Sequence, residues 1–278
     1  MTVLAFIRSS LVEDIGNGDH TSLACIPDKS QGKAALECRE KGIIAGIKIA
    51  KIIFHEVDPT LIFEQFIEEG RRIAPGDIAF TIAGNARFIL MSERLVLNCM
   101  QRMSGIATFT NKVVQQLEGL PVKLLDTRKT TPGIRLLEKH AVKVGGGNNH
   151  RFGLFDMIMI KDNHIDYAGG ITQAISAANK YRKKKNLNIQ IEIEARNMEE
   201  VKEILKSEGV DRIMLDNFNI ANTKKAVELI NGKIEIESSG NINLDNIRQY
   251  AKCGINYISM GALTNSVKSM DLGLKALK

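Results

Sequence analysis

From residue 122 onward the chain alternates short apolar runs with longer stretches whose apolar residues recur every third or fourth position. The runs "VKLLD" 122–126, "MIMIK" 157–161, "IQIEIE" 189–194, "RIMLD" 212–216, "IEIESS" 234–239 and "YISMG" 257–261 predict strands. The intervening "NMEEVKEILKSEG" and "NLDNIRQYAKCG" predict helices, each closed by the glycine expected at a helix end. Apolar strands separated by single helices predict a parallel sheet, in a βα barrel or a doubly wound arrangement. The last four strand ends, at Glu194, Asp216, Ser238/Ser239 and Gly261, lie about 22 residues apart, one strand plus one helix plus two loops. No similarity of sequence accompanies that spacing, so it is a structural period.

Residues 1–105 carry a different pattern. A helix over 3–13 precedes a strand at "KAALECRE" and a helix at "GIKIAKIIFHEV". "LIFEQFIEEG" and "DIAFTIAG" predict further strands, with Pro75–Gly76 turning the chain between them. This is the pattern of a small α+β domain. A long helix over 86–118, broken near Ser104–Gly105, leads into the second half, and a helix over 266–277 closes the chain. The expected domains are 1–105, a barrel-type catalytic domain over 106–265, and a C-terminal helix over 266–278 that packs back toward the first.

Composition narrows the function classes. With 44% hydrophobic and 25% charged residues in 278, the chain reads as an ordinary globular protein. It has no tryptophan and few aromatics, which disfavours base-stacking platforms, while a net charge of +6 favours anionic partners. Cys25, Cys38, Cys99 and Cys253 form no CxxC pair and read as structural thiols of a reducing compartment. The N-terminus lacks the apolar core of a signal peptide. The most apolar run, "GIIAGIKIAKIIF", is interrupted by Lys48 and Lys51 and is too short to cross a bilayer. A cytoplasmic protein without membrane association is expected.

Candidate chemistry gathers at the strand ends. Asp126, Thr127, Arg128 and Lys129 follow the first barrel-type strand, Lys161 and Asp162 the second, Glu194 the third and Asp216 the fourth; Ser238–Ser239–Gly240 and Gly261 end the last two. Parallel strands put these ends on one face, where barrel enzymes carry their sites. Taken singly, an acid after a strand is ordinarily a helix cap, and "EKHAVKV" is a helix face whose Lys139, His140 and Lys143 serve solvent or packing. His20 and His55 are assigned no chemistry. Taken together, Arg128, Lys129, Arg151 and Lys161 with His150 form a cationic set suited to a di-anion. Glu194 and Asp216 suit ribose hydroxyls, Mg²⁺ or a developing positive sugar, and Ser239, Gly240 and Gly261 offer turns rich in N–H groups for a terminal phosphate. The constellation describes a phosphorylated sugar facing a carboxylated partner. The run "VGGGNNHRFG" at 144–153 reads either as a phosphate cradle or as a plain loop. No hydrolase triad, GxGxxG or GxxxxGK[ST] loop is visible.

The run "LLDTRKTTPGIRLLEKHAVKVGGGNNHRFGLFDMIMIKDNHI" at 124–165 closely resembles the quinolinate phosphoribosyltransferase family, among the type II phosphoribosyltransferases. "LVEDIGNGDHTS", "SERLVLNCMQRMSGIAT", "MLDNF", "ESSGNI" and "MGALTNS" extend the resemblance over essentially the whole chain. It implies an α/β fold with an N-terminal α/β sandwich domain and an incomplete, open α/β barrel, in a homodimer or an assembly of dimers with the active site shared between subunits. It implies transfer of phosphoribosyl from phosphoribosyl pyrophosphate to quinolinate with decarboxylation, with Mg²⁺. Quinolinate is then expected at Thr127, Arg128, His150, Arg151 and Lys161, with Arg94 reaching the partner subunit's site. Lys129 is expected on the pyrophosphate side, Glu194 and Asp216 at ribose and Mg²⁺ (directly or through substrate or water), and Ser238, Ser239, Gly240, Met260 and Gly261 at the 5′-phosphate. Lys129, Lys161, Glu194 and Asp216 are the expected catalytic residues. On this resemblance the glycine run shapes a turn that delivers His150 and Arg151, and phosphate sits later in the chain.

Three positions depart from the family pattern: Asn241 where a second glycine is common, Asn265 where histidine is often seen, and Arg196 where an acid is frequent. A molybdenum-transport-associated branch of the same fold shares the glycine and NHR-like motifs, and the full "DTRKTTPG" and "IKDNHI" argue against it. A nucleic-acid binder is the rival from another class. Its best support, "KYRKKK" at 180–185, is explained more simply by a solvated helix end.

Overall fold

A computed structural model describes residues 2–277. In chain order the elements begin α1 (Val3–Ile15), α2 (His20–Cys25), β1 (Gln31–Cys38), β2 (Gly42–Ile43), α3 (Ile47–Val57), β3 (Ile62–Gln65), β4 (Arg72–Ile73), β5 (Ile78–Asn85) and α4 (Ala86–Gln116). They continue with β6 (Lys123–Leu125), α5 (Arg135–Val144), β7 (Ile158–Ile160), α6 (Asp162–Ala168), α7 (Ile171–Lys184), β8 (Ile191–Ala195) and α8 (Met198–Ile204). The chain ends with β9 (Arg212–Asp216), α9 (Ile220–Ile230), β10 (Glu235–Ser239), α10 (Ile247–Ala251), β11 (Tyr257–Ser259), α11 (Ala262–Asn265) and β12 (Leu272–Leu277). Two compact units result: Met1–Lys112 with Lys129–Gly146 and Ala262–Lys278, and Val113–Arg128 with Gly147–Gly261.

The first unit is built on an antiparallel sheet of order β12-β1-β5-β3. Helix α3 opens at Gly46, in left-handed conformation, and buries Ile47, Ala50, Ile53 and Phe54 at helical spacing. Phe54 meets Phe63 and Phe80 of the sheet with centroids 6.1 and 6.0 Å away, and the latter two lie 4.4 Å apart. Burying each such ring contributes about 1.5–3 kcal/mol.

Two expectations are corrected in this unit. Helix α4 runs unbroken through Ser104–Gly105. The Ser104 hydroxyl is spent on the backbone of Ala45, accepting from its N–H at 2.9 Å and donating to its carbonyl at 3.2 Å. Gly105 leaves room for the backbone at Lys268–Ser269, which any side chain there would strike. The small residues thus serve close approach within a continuous helix. The C-terminal segment expected as a helix is the strand β12, laddered antiparallel to β1 from Lys33↔Leu277 to Cys38↔Leu272. Gly273 weakens a helix there, and the otherwise open edge of β1 rewards an extended chain with ladder hydrogen bonds.

The second unit carries a six-stranded parallel sheet of order β6-β11-β10-β9-β8-β7, the curved, open barrel that strand–helix alternation anticipates. The strand calls from "VKLLD" to "YISMG" fall on β6 through β11. Side chains alternate across it. Ile191, Ile193, Ile213, Leu215, Ile236 and Ile258 form an apolar layer on one side. The registers Glu192↔Arg212 and Glu235↔Arg212 place Glu192, Glu194, Arg212, Asp216, Glu235, Glu237 and Ser239 together on the other side. The interior of this sheet is therefore polar. Among the described residues no helix is long and apolar enough to cross a membrane.

Candidate active site

Lys161 follows β7 and precedes α6; its N–H donates to His164 Nδ1 at 3.0 Å, so the histidine of "KDNH" caps the helix. That cap holds the Lys161 ammonium at the sheet's C-terminal rim, where it pairs with the Glu194 carboxylate from β8. Asp216 ends β9 half-buried, and its Oδ2 accepts from Asn217 Nδ2 at 2.9 Å. Lys161, Glu194 and Asp216 thus stand at the rims of three neighbouring strands, as their positions after strands anticipate.

The NHR segment is fixed by Asp126, fully buried after β6. Asp126 Oδ1 accepts the His150 N–H at 2.8 Å and Oδ2 accepts from Asn149 Nδ2 at 2.6 Å. Leu125 and Asn148 form a parallel bridge that extends the sheet edge into this loop. Of the glycines before it, Gly145 ends α5 and packs where a Cβ would lie 2.7 Å from Thr110 Cβ, and Gly146 takes φ +92°. The glycine run terminates a helix and allows close packing.

Arg151 is buried, and its Nη1 donates to Met157 O at 3.3 Å. Burial, then the positive charge of Arg128, hold the Arg151 guanidinium below its usual pKa. Arg128 Nε is buried and has no hydrogen-bond partner among the described residues. Two cations side by side, one with an unused buried donor, describe a receptor for an anion carrying more than one charge.

Sequence patterning missed what lies beneath. His150 Nε2 is 3.2 Å from Glu192 Oε2 and 3.3 Å from Glu237 Oε2, with all three side chains almost wholly buried. Arg212 Nη1 lies 3.1 Å from Glu237 Oε2 and 3.6 Å from Glu192 Oε2, and its guanidinium stacks 3.8 Å above the Tyr257 ring. Burial, then the neighbouring Glu237 charge, raise the Glu192 pKa; Glu237 is lowered because His150 and Arg212 outweigh its burial. Burial opposes an imidazolium at His150, yet the two carboxylates outweigh it and pull the ring's pKa up to about 9. Against that pull, the Arg151 N–H approaches Nδ1 at 2.6 Å and needs its lone pair. The tautomer with hydrogen on Nε2 leaves the Nδ1 lone pair for that N–H and turns the donor toward the two carboxylates, and we assign it. The donor atoms of His150, Glu192 and Glu237 lie within 4.8 Å of one another, as in a metal site. Arg212 already supplies positive charge there, so the set is an ion-pair lattice. The signal was the alternation in "IEIE" and "IEIES", which puts acids on the face opposite the isoleucines.

The phosphate candidates separate by face. Ser239 looks into the sheet's interior and its Oγ accepts from Ser259 Oγ at 3.0 Å, whereas Ser238 turns to the apolar side and is 1% exposed. Gly240 takes φ +86°. Asn241, at φ +52°, donates through Nδ2 to Asn217 Oδ1 at 3.0 Å. Met260 is buried, its N–H donating to Leu125 O at 3.0 Å, and Gly261 follows it. Thr127 is half-buried beside Arg128. Arg196 pairs with Glu200 at 2.8 Å and Asp166 at 3.4 Å, away from Glu194. Asn265 accepts from Ser266 Oγ at 2.7 Å.

In the first unit Lys129 is exposed and its carbonyl accepts from Thr264 Oγ1 at 2.9 Å; Arg94 stands on the exposed face of α4. The basic run at 180–185 ends α7, where Arg182 is tied to Asp211 at 2.9 Å and lysines face the negative helix end.

Two family descriptions cover the chain: the quinolinate phosphoribosyl transferase N-terminal domain over residues 19–104 and the C-terminal domain over 106–275. The chain is 45% identical over 286 residues to a chloroplastic nicotinate-nucleotide pyrophosphorylase [carboxylating] of Arabidopsis thaliana, covering 98% of this chain and 82% of that one. A probable nicotinate-nucleotide pyrophosphorylase [carboxylating] of Synechocystis is 39% identical, covering 98% and 92%. The solved nicotinate-nucleotide pyrophosphorylase of Francisella tularensis superposes with TM-score 0.92 at 38% identity, covering 99% and 96%.

Proposed function

The chain belongs to the quinolinate phosphoribosyltransferase family, and we propose that the strand-end residues described above carry that family's reaction. It is a pentosyltransferase of de novo NAD synthesis: quinolinate and phosphoribosyl pyrophosphate give nicotinate mononucleotide, pyrophosphate and CO₂. The placement of Arg128 beside Arg151, where their charges repel, supports this assignment best, because a dicarboxylate between them relieves the repulsion.

In this scheme Arg128 and Arg151, with Lys161 and the Thr127 turn, hold the two carboxylates and aim the pyridine nitrogen at the sugar's anomeric carbon. The nitrogen's electron pair forms the new C–N bond as the C–O bond to pyrophosphate breaks. Glu194 and Asp216 face the positive charge that develops on the ribose. Lys129 faces the departing pyrophosphate. The N-ribosylated ring then accepts the electron pair of the C–C bond as CO₂ leaves, and a proton takes its place, so no organic cofactor is required. Ser239, Gly240 and Gly261 hold the 5′-phosphate with their N–H groups and the Ser239 hydroxyl, and Ser238 and Met260 flank that turn, the Met260 N–H being spent on Leu125 O.

Glu194 and Asp216 offer hard oxygen donors on one face of adjacent strands, a donor set that fits Mg²⁺. Bound there, directly or through substrate or water, Mg²⁺ supplies charge neutralisation for pyrophosphate. We further propose a homodimer in which Arg94 serves the second copy's site, in keeping with its exposure on α4. The four free cysteines are in keeping with a reducing, cytoplasmic setting.

The test is direct. Purified protein with quinolinate, phosphoribosyl pyrophosphate and Mg²⁺ releases nicotinate mononucleotide and CO₂. Nicotinate, lacking the second carboxylate, is a poor replacement. If no nucleotide forms from quinolinate, the assignment fails.

A further inference from the structure

Among the described residues, those other than glycine with positive φ are all asparagines: Asn186, Asn217, Asn231 and Asn241. Asn231 caps the end of α9 and Asn186 follows the cap of α7, where a left-handed residue ordinarily stops a helix. Asn217 at φ +56° and Asn241 at φ +52° end no helix. They follow β9 and β10, neighbouring strands of the parallel sheet. Glycine adopts that backbone most freely, so a side chain at both places calls for a use. The use is a relay. Asn241 Nδ2 donates to Asn217 Oδ1 at 3.0 Å, and Asn217 Nδ2 donates to Asp216 Oδ2 at 2.9 Å. An ionised carboxylate only accepts, so Asn217 turns its Nδ2 to Asp216 and leaves Oδ1 for Asn241. Among the described residues the Asp216 carboxylate accepts no other hydrogen bond. Asn217 and Asn241 are exposed, so packing does not hold them. The main chain completes the arrangement: the Asn217 N–H donates to Ser239 O at 2.9 Å, and Asn241 O accepts from Asn246 Nδ2 at 3.0 Å.

We propose that Asn217 and Asn241 are positioning residues: in series they tie the Asp216 carboxylate to the turn at Gly240, so that the acid assigned to the ribose and the turn assigned to its 5′-phosphate act as one rigid reader of a phosphorylated pentose. This rests on the reaction assigned above. The physical reason is order. A carboxylate at a solvated rim changes rotamer within nanoseconds, and two hydrogen bonds in series hold it in one rotamer and lower the ordering cost that binding must meet. Asn241 acts through Asn217 and not on substrate, so its contribution vanishes once the Asn217 amide is removed.

The experiment measures steady-state kinetics with both substrates, and thermal melting, for Asn241→Gly, Asn217→Gly and the double variant. Glycine suits both backbones, so these changes remove the relay without straining the chain. Asn241→Gly melts within a few degrees of the unaltered chain, its kcat/KM for phosphoribosyl pyrophosphate falls on the order of tenfold, and its KM for quinolinate stays within about twofold. Asn217→Gly loses at least as much. The double variant matches Asn217→Gly within about twofold, because the outer asparagine works only through the inner one. Asn241→Ser, too short to reach Asn217, shows the same kinetic loss and serves if Asn241→Gly does not fold, with circular dichroism confirming the fold of each. The inference is overturned if folded Asn241 variants keep kcat/KM for phosphoribosyl pyrophosphate within about twofold of the unaltered value. Losses that multiply in the double variant overturn it too, since they mean that Asn241 meets the phosphate by itself. So does a lowered melting temperature with both KM values raised, the mark of a loosened fold. Absence of nicotinate mononucleotide with the unaltered chain is a different failure, since it removes the assigned reaction and the inference with it.

Discussion

Arg128 and Arg151 are placed so that the charge of the first, after burial, depresses the pKa of the second, and Arg128 Nε is buried without a hydrogen-bond partner among the described residues. A dicarboxylate bound between them, as proposed above, relieves that repulsion. Arg128→Ala or Arg151→Ala therefore raises KM for quinolinate by roughly 10- to 100-fold, the equivalent of about 1.5–3 kcal/mol for a charge-assisted hydrogen bond. The Arg128→Ala protein keeps its ligand-free melting temperature within a few degrees but loses the upward shift that quinolinate gives the unaltered chain. Wild-type KM in both variants refutes the carboxylate assignment.

The Lys161–Glu194 pair ties a proposed carboxylate-binding cation to a proposed sugar-facing anion. Glu194→Gln leaves the ammonium nearby and removes the negative charge proposed to answer the developing positive ribose. The variant loses kcat by roughly 100-fold while KM for quinolinate changes little, the pattern of an interaction made in the transition state. Chelation of Mg²⁺ stops turnover of the unaltered chain and resupply restores it. Undiminished turnover in excess chelator sinks the proposed role of the metal.

The parallel sheet was legible because "RIMLD" and its neighbours are short apolar runs of strand length set between longer amphipathic stretches, and the rim residues were legible because they end those runs. The interior was harder. "IEIE" shows that Glu192 and Glu194 share a face, but a sequence does not say whether that face meets water or Arg212, and only the registers Glu192↔Arg212 and Glu235↔Arg212 decide it. "EKHAVKV" read as a plain helix face, yet Glu138 is fully buried, accepting from Arg102 at 2.8 and 3.0 Å and from Thr131. Arg102 lies 36 positions away, beyond the reach of local pattern. The closing segment misled because six residues with three leucines suit a helix or a strand, and the open edge of β1 made the choice.

Gly240 has φ +86°, and a Cβ there would lie 2.6 Å from Asn217 Cγ. Gly240→Ala thus pushes Asn217 off both Asp216 and Asn241, its two side-chain partners. The strained backbone costs about 1–3 kcal/mol, visible in urea denaturation. KM for phosphoribosyl pyrophosphate rises by roughly tenfold with little change for quinolinate, since only the proposed phosphate turn and the neighbouring acid proposed to face the sugar are disturbed. Equal changes for both substrates contradict a phosphate role for this turn.

The cysteines provide a prediction in pH. Burial pushes the Cys99 thiol up to about 12, and burial followed by the charges of Asp77 and Glu37 takes Cys38 up to about 11. Cys253 is raised by burial too, while Cys25 is exposed. The thiolate is the nucleophile, so a group whose pKa is raised holds less of it at every pH below that value. Native protein at neutral pH therefore takes up one equivalent of iodoacetamide, mapped to Cys25 by mass spectrometry, and the four thiols all react after unfolding in guanidinium. Raising the pH toward 9 leaves Cys99 unlabelled, because that pH is still far below the value about 12 to which burial moves it. Labelling of Cys99 in the folded chain near neutrality contradicts the closed packing around α4.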